Sequence, residues 1–252
     1  MKRFAPIALA IVGVFGSLAS IYALPSGMLS TSVLLLSIAL TLASVIAILS
    51  SELDIVSAWG ILTACKALGI RRIFYAQSTL AMNARVSQAS QIRIMAVSAE
   101  GLVKHLRNNI ISALTSKRSF IRVILAEPGS QFVSDIEESE SRYRLGQITP
   151  EIDKVEKLLS ECFEEALSGR SREEVGTIWM GHYTTHLRSS LVLCDQSWGW
   201  LTLNLPPRRA VQSASLELGP SSDGLLTHSV EHFDRTWDIV QGRGRAFQIP
   251  RV

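Results

Sequence analysis

The chain has 252 residues, 47% of them hydrophobic and 19% charged, and a formal net charge of +3. So small an excess of cations gives no argument for nucleic-acid binding by charge. The cysteines, Cys65, Cys162 and Cys194, are isolated, odd in number and free of any C-x-x-C pair, which excludes a disulfide framework and a cysteine zinc site and fits a reducing compartment.

Two uncharged apolar runs open the chain, residues 4–24 and 32–50, joined by a stretch that holds Pro25, Ser26 and Gly27. Each has about the twenty residues that a helix rising 1.5 Å per residue needs to cross roughly 30 Å of hydrocarbon. Lys2 and Arg3 precede the first run, and Lys66, Arg71 and Arg72 follow the second. Cations are retained on the cytoplasmic side, so the pattern predicts a transmembrane hairpin over 1–50 in a bacterial inner membrane, with both termini cytoplasmic. A cleaved signal peptide competes for the first run, and apolar core helices compete for both. Neither run holds an Asp, Glu, Lys, Arg or His, so no proton relay is read there.

Residues 51–71 read as a juxtamembrane helix or linker. At their end, Arg71-Arg72-Ile73-Phe74-Tyr75 is either a basic-aromatic step for anionic headgroups or an ordinary strand. One cytoplasmic α/β domain is expected over 72–241. Alternation predicts a strand over 92–97, a helix over 101–116 with Leu102, Leu106, Ile110 and Leu114 on one face, and a strand over 121–125, together a parallel βαβ unit. A long helix follows, with Thr149 as N-cap, Pro150 at its first position and Gly169 past its end. Its apolar stripe includes Cys162, which reads as a core residue. Strands are expected over 175–180, 189–194, 199–205 and 213–218, then a helix over 224–240. Residues 242–252 read as a loose basic tail with a frayed end.

The order strand, helix, strand, long helix, strand, His-x-basic, hairpin, strand with an acid, and Phe-x-x-x-Trp helix resembles one half of a phospholipase D-like domain. The residues that carry it are 92–97, 121–128, His186-Leu187-Arg188, Ser215-Leu216-Glu217-Leu218 and Phe233-Asp234-Arg235-Thr236-Trp237. In that family a His-x-Lys followed by an aspartate attacks and holds phosphorus, and two such motifs meet in one site. Here Arg188 replaces the lysine and Leu193 stands where the aspartate is expected. Asp195 comes two residues late, a shift of roughly 7 Å along a strand, and the companion Gly-Ser-x-Asn stretch is missing. The fold class expected is therefore a membrane-anchored α/β protein, a two-helix transmembrane hairpin plus one mixed-sheet phospholipase D-like domain.

His186 and Arg188 are candidates to bind a phosphate-bearing ligand, since a planar guanidinium suits phosphate oxygens. Trp200, with Arg208 and Arg209 after a Pro-Pro step, reads either as a platform that stacks a base and holds its phosphate or as core packing and a turn. Ser98 and Glu127 are candidates by position, at the carboxyl ends of two parallel strands, and Glu217 as the acid of the late strand. His182 and His186 bracket a segment that reads as strand or loop with no third ligand, so no metal and no cofactor are expected.

Three functions compete. The first is a non-catalytic sensor of a phosphate-containing ligand or partner, coupled to the two spans and acting as a membrane-disrupting effector in anti-phage defence. The second is a dimeric membrane-bound phosphodiesterase or nuclease with His186 as nucleophile, and the third a membrane scaffold for a partner protein. The partners expected are the membrane, a second copy of the chain, and a nucleotide, nucleic acid or protein on the cytoplasmic side.

Overall fold

A computed structural model describes residues 62–74, 80–139, 144–184, 189–203 and 214–250. The chain divides into two compact units, Met1–Ala64 and Cys65–Val252. Nearly all described residues belong to the second.

That unit is one mixed eight-stranded sheet with helices on its faces. In chain order its elements are β1 (Ile70–Phe74), α1 (Leu80–Gln88), β2 (Gln91–Ala96), α2 (Glu100–Ser116), β3 (Phe120–Ala126), α3 (Gln131–Ser139), α4 (Ile148–Leu167), β4 (Thr177–Tyr183), β5 (Ser189–Cys194), β6 (Trp198–Leu203), β7 (Ser215–Leu218), α5 (Leu225–Gly242) and β8 (Ala246–Ile249). The strand order is β1-β7-β6-β5-β2-β3-β4-β8. Strands β2, β3 and β4 run parallel, joined through α2 and α4, and every other pairing is antiparallel.

The parallel centre is apolar on one face and mixed on the other, where Arg93 and Arg122 stand among apolar side chains. On one face Ile92, Ile94, Ile121 and Val123 are fully buried. On the other α5 lies close to the strands because glycines make room. A Cβ on Gly199 would stand 2.9 Å from Leu226, and one on Gly181 would collide with Val240. Helices α1, α2 and α4 pack on one another and are left with the first face. The predicted stripe of α4 is the buried one, Ile152, Val155, Leu159, Cys162, Phe163 and Ala166.

The expected membrane-anchored fold class and integral-membrane localisation are corrected to this mixed α/β domain. Among the described residues no helix is long and apolar enough to cross a membrane. The longest, α4, has 20 residues but carries Glu151, Asp153, Lys154, Glu156, Lys157, Glu161, Glu164 and Glu165 off its stripe. Charges spaced in that way belong to a helix half in water, because each would cost kilocalories in hydrocarbon. The two runs on which the hairpin was placed lie outside the described residues.

Smaller expectations also shift. Residues 70–74 are an edge strand, paired with β7 through Phe74–Ser215 and Arg72–Glu217. The basic tail is no frayed end: β8 adds antiparallel to β4 and forms the opposite edge. Thr149 does not cap α4, which begins after Gln147. Its hydroxyl instead accepts the Gly129 N–H at 3.1 Å. Strand β4 starts two residues later than expected because Gly176 is wedged against the backbone of Ser119 and donates to the Leu114 carbonyl at 2.9 Å.

Candidate functional site

Parallel strands that end together create an edge where ligands bind in open α/β sheets. Register places the ends of β2, β3 and β4 at one edge, through the pairs Ala96–Leu125 and Ala126–Tyr183. The antiparallel strands meet there too: β5 begins at Ser189 opposite Leu203, the last residue of β6, and Thr202 faces Ser215, the first of β7.

Ser98 and Glu127 occupy this edge as expected, and both are engaged within the chain. Ser98 leaves β2 just before Ala99, whose left-handed φ of 60° swings the chain into α2. Its hydroxyl donates to Glu151 Oε2 at 3.0 Å, and Gln147 donates to the other oxygen at 2.9 Å. Glu127 is held by its backbone N–H to the Tyr183 carbonyl at 3.0 Å and by Arg245, whose Nη1 is 2.5 Å from Glu127 Oε2. His186, Arg188, Arg208 and Arg209 lie outside the described residues. The chain that carries the first two leaves β4 after Tyr183 and re-enters at Ser189, both at this edge.

Trp200 and Glu217 are brought together, directly opposite in register. Trp200 is 1% exposed, with its ring 4.9 Å from that of Phe74, so it offers no face to a stacked base and packs in the core. Glu217, also buried, accepts the Trp198 indole N–H at 3.0 Å. Among the described residues its second oxygen has no hydrogen bond, though the Arg72 Nε stands 3.7 Å away, and the indole N–H of Trp200 has no partner either. A buried donor left unpaired costs about 1–3 kcal/mol. Trp200→Phe removes that donor but leaves a cavity where the larger ring stood, and the two effects oppose each other, so urea unfolding is expected to show a loss below the roughly 3 kcal/mol that truncating a buried aromatic costs. A loss of that size or more would show that relieving the donor returns nothing.

Asp195, the acid nearest the His-x-Arg motif, has a separate task. It sits in the β5–β6 turn with φ at 50°, and its Oδ1 accepts the backbone N–H groups of Ser90 and Gln91 at 2.9 and 2.8 Å. Those residues open β2, so the carboxylate lies at the opposite edge of the sheet. Leu193, where the aspartate of the resembled motif is expected, is fully buried and faces Arg93.

No protein-family model matches the chain, and no curated protein matches it. Similar solved structures exist. They include Nuc, a phospholipase D family member from Salmonella typhimurium (10% identity, TM-score 0.41, 72% of this chain and 97% of that one). Phosphatidylserine synthase from Haemophilus influenzae Rd KW20 aligns at 12% identity and a TM-score of 0.43, over 71% of this chain and 39% of that one. TrmBL2, an archaeal chromatin protein whose structure shows a mode of DNA binding, aligns at 12% and 0.40, over 81% and 68%. At such identities the likeness carries nothing about activity or ligand.

One charged cluster escaped the sequence reading. Arg93 and Arg122, side by side in the parallel register, both reach Asp234 on α5. Arg93 grips it with Nε at 3.0 Å and Nη2 at 3.2 Å, and Arg122 Nη2 adds a contact of 2.7 Å. The Arg122 guanidinium also lies 5.4–5.6 Å from the rings of Phe120, Phe233 and Trp237. Burial lowers its pKa, and the neighbouring Asp234 works in the opposite sense. An arginine at the same position of two otherwise apolar strands was the visible signal.

Neither buried thiol offers chemistry. Burial pushes Cys162 up to about 11 and Cys194 up to about 12, so both stay protonated at neutral pH. Among the described residues no group of three or more His, Cys, Asp or Glu side chains is placed to hold a metal ion.

Proposed function

We propose that the α/β domain binds a phosphate-containing ligand at the carboxyl edge of its parallel strands and does not hydrolyse it. His186 and Arg188 are the ligand groups, assigned from their sequence pattern and from the position of the residues that flank them. The observation that carries the non-hydrolytic part is the placement of Asp195. A histidine that attacks phosphorus needs a group within about 3 Å to orient it. Asp195 is committed to two backbone N–H groups at the far edge, and Leu193 brings only a buried methyl cluster. Nucleotides and short nucleic acids are the ligand classes to test first, because they carry the phosphate that an Arg fork recognises. The effector role expected from the apolar runs forms no part of this proposal.

The test is isothermal titration of the full chain with inorganic phosphate and with nucleotides, beside hydrolysis assays on a chromogenic phosphodiester and on DNA. Arg188→Ala should weaken binding about tenfold or more, the effect of losing a charge-assisted hydrogen bond of about 1.5–3 kcal/mol. His186→Ala should leave hydrolysis at background. Robust hydrolysis that disappears in His186→Ala would overturn the proposal in favour of a phosphodiesterase.

A further inference from the structure

The segment expected to be a frayed basic tail delivers one arginine to the carboxyl edge. Helix α5 ends in a turn in which Arg243 donates to Ile239, Gly244 to Gln241 at 2.9 Å, and Arg245 to Val240 at 3.0 Å. Gly244 takes the left-handed φ of 67° that this turn requires. Strand β8 then locks Ala246 opposite Gly181 of β4. Arg245 is thus held by its own backbone beside the last residues of β4, with its side chain 36% exposed. The turn and the strand fix its position before any ligand arrives.

The guanidinium points at Glu127, which follows β3 and is tied to Tyr183 through its backbone. A carboxylate oxygen on a guanidinium N–H occupies the place that a phosphate oxygen takes, and here one oxygen, Glu127 Oε2, meets Nη1. The pair is one-third exposed, so an anion from solution can reach it. His186 lies only three residues beyond Tyr183 in the chain, a reach of roughly 10 Å.

We propose that Arg245 is a third phosphate-binding residue of the carboxyl edge, and that Glu127 is its internal competitor, occupying the guanidinium until a ligand displaces it. This rests on the phosphate-binding reading above and adds both a cation and a selectivity device to it. Ligands must out-compete a tethered carboxylate, so weak monoanions such as acetate are rejected while phosphate, with more charge and more acceptor oxygens, is admitted.

The experiment is titration of the full chain with inorganic phosphate, and with acetate as the weak anion, for wild type, Arg245→Ala, Glu127→Gln and Arg188→Ala. Arg245→Ala should weaken phosphate about tenfold. Glu127→Gln keeps the shape and removes the competing charge, so it should tighten phosphate several-fold and bring acetate into measurable range. Thermal melting identifies an Arg245→Ala chain that fails to fold, and Glu127→Gln then decides alone. If Arg245→Ala folds and binds within twofold of wild type, or Glu127→Gln binds phosphate more weakly, the pair is a plain surface salt bridge and the inference is wrong. In that event a loss in Arg188→Ala still supports the broader reading. A wild-type chain that binds no phosphate overturns both.

Discussion

Asp234→Ala is expected to cost about 3 kcal/mol of folding stability, at the lower end of what breaking a buried ion pair does. The loss comes from what stays behind. Arg93 has a side chain 4% exposed and relies on Asp234 for both hydrogen bonds of its fork. Among the described residues its remaining Nη1 has no hydrogen-bond partner. Without the carboxylate a full positive charge remains under α5 with its hydrogen-bonded counter-ion gone, beside a second guanidinium. Arg122 suffers less, since three aromatic rings stay near its charge and its side chain reaches solvent more easily. Asp234 is itself 36% exposed, so water repays part of the loss and the figure lies at the low end. Urea unfolding of Asp234→Ala, and of the same change combined with Arg93→Met, separates the causes. The double variant should recover most of the stability by removing the stranded charge and refilling its volume. A double variant no more stable than Asp234→Ala would show that the cost lies in α5 packing instead.

Gly176→Ala should be comparably damaging, at about 2–3 kcal/mol, for a steric reason. A Cβ there would stand 2.6 Å from the amide nitrogen of Ser119 and 2.8 Å from the carbonyl carbon of Arg118, and closer still to the Ser119 oxygen. Those atoms are backbone and cannot rotate away. Ser119 is anchored besides: its buried hydroxyl donates to the carbonyls of Ala89 and Ala113, and its carbonyl accepts the Thr177 N–H at 3.0 Å. The junction joins the starts of β3 and β4 to the end of α2, so any shift spreads through the parallel centre. Gly101→Ala is the matched control. Gly101 sits in the first turn of α2 with open space around it, and alanine there should stabilise by a few tenths up to about 1 kcal/mol through helix propensity. Both variants are read by the midpoint of chemical denaturation. Equal and small effects at the two glycines would refute the steric account.

The two kinds of residue also mark how far the sequence could be read. Strands β2 and β3 and helix α2 were visible because their signals are local. A β-branched run has period two, and Leu106, Ile110 and Leu114 return every four residues, so each element declares which of its own faces must be buried. The stripe of α4 was legible for the same reason. Helix α1 was missed because its nine residues carry only two described core side chains, Met82 and Val86. The tail was misread because Arg243, Gly244 and Arg245 resemble a frayed end until an unfilled strand edge is known to lie beside them. The apolar runs were read by length and charge alone, and the fold class built on them does not match the helices described.

By itself, then, the sequence determined the parallel βαβ core, the stripe that α4 buries, and the lack of both the lysine and the aspartate of the resembled His-x-Lys motif. Composition and period suffice for such statements, since neighbouring residues share one element and the backbone repeat sets which side they face. Only the tertiary structure decided that Asp195 belongs to the far edge, that Trp200 lies in the core, that Arg245 meets Glu127, and that Arg93 finds Asp234 across 141 positions of chain. Each of these depends on which distant surfaces meet once the sheet is assembled, and no local period in the chain records that choice.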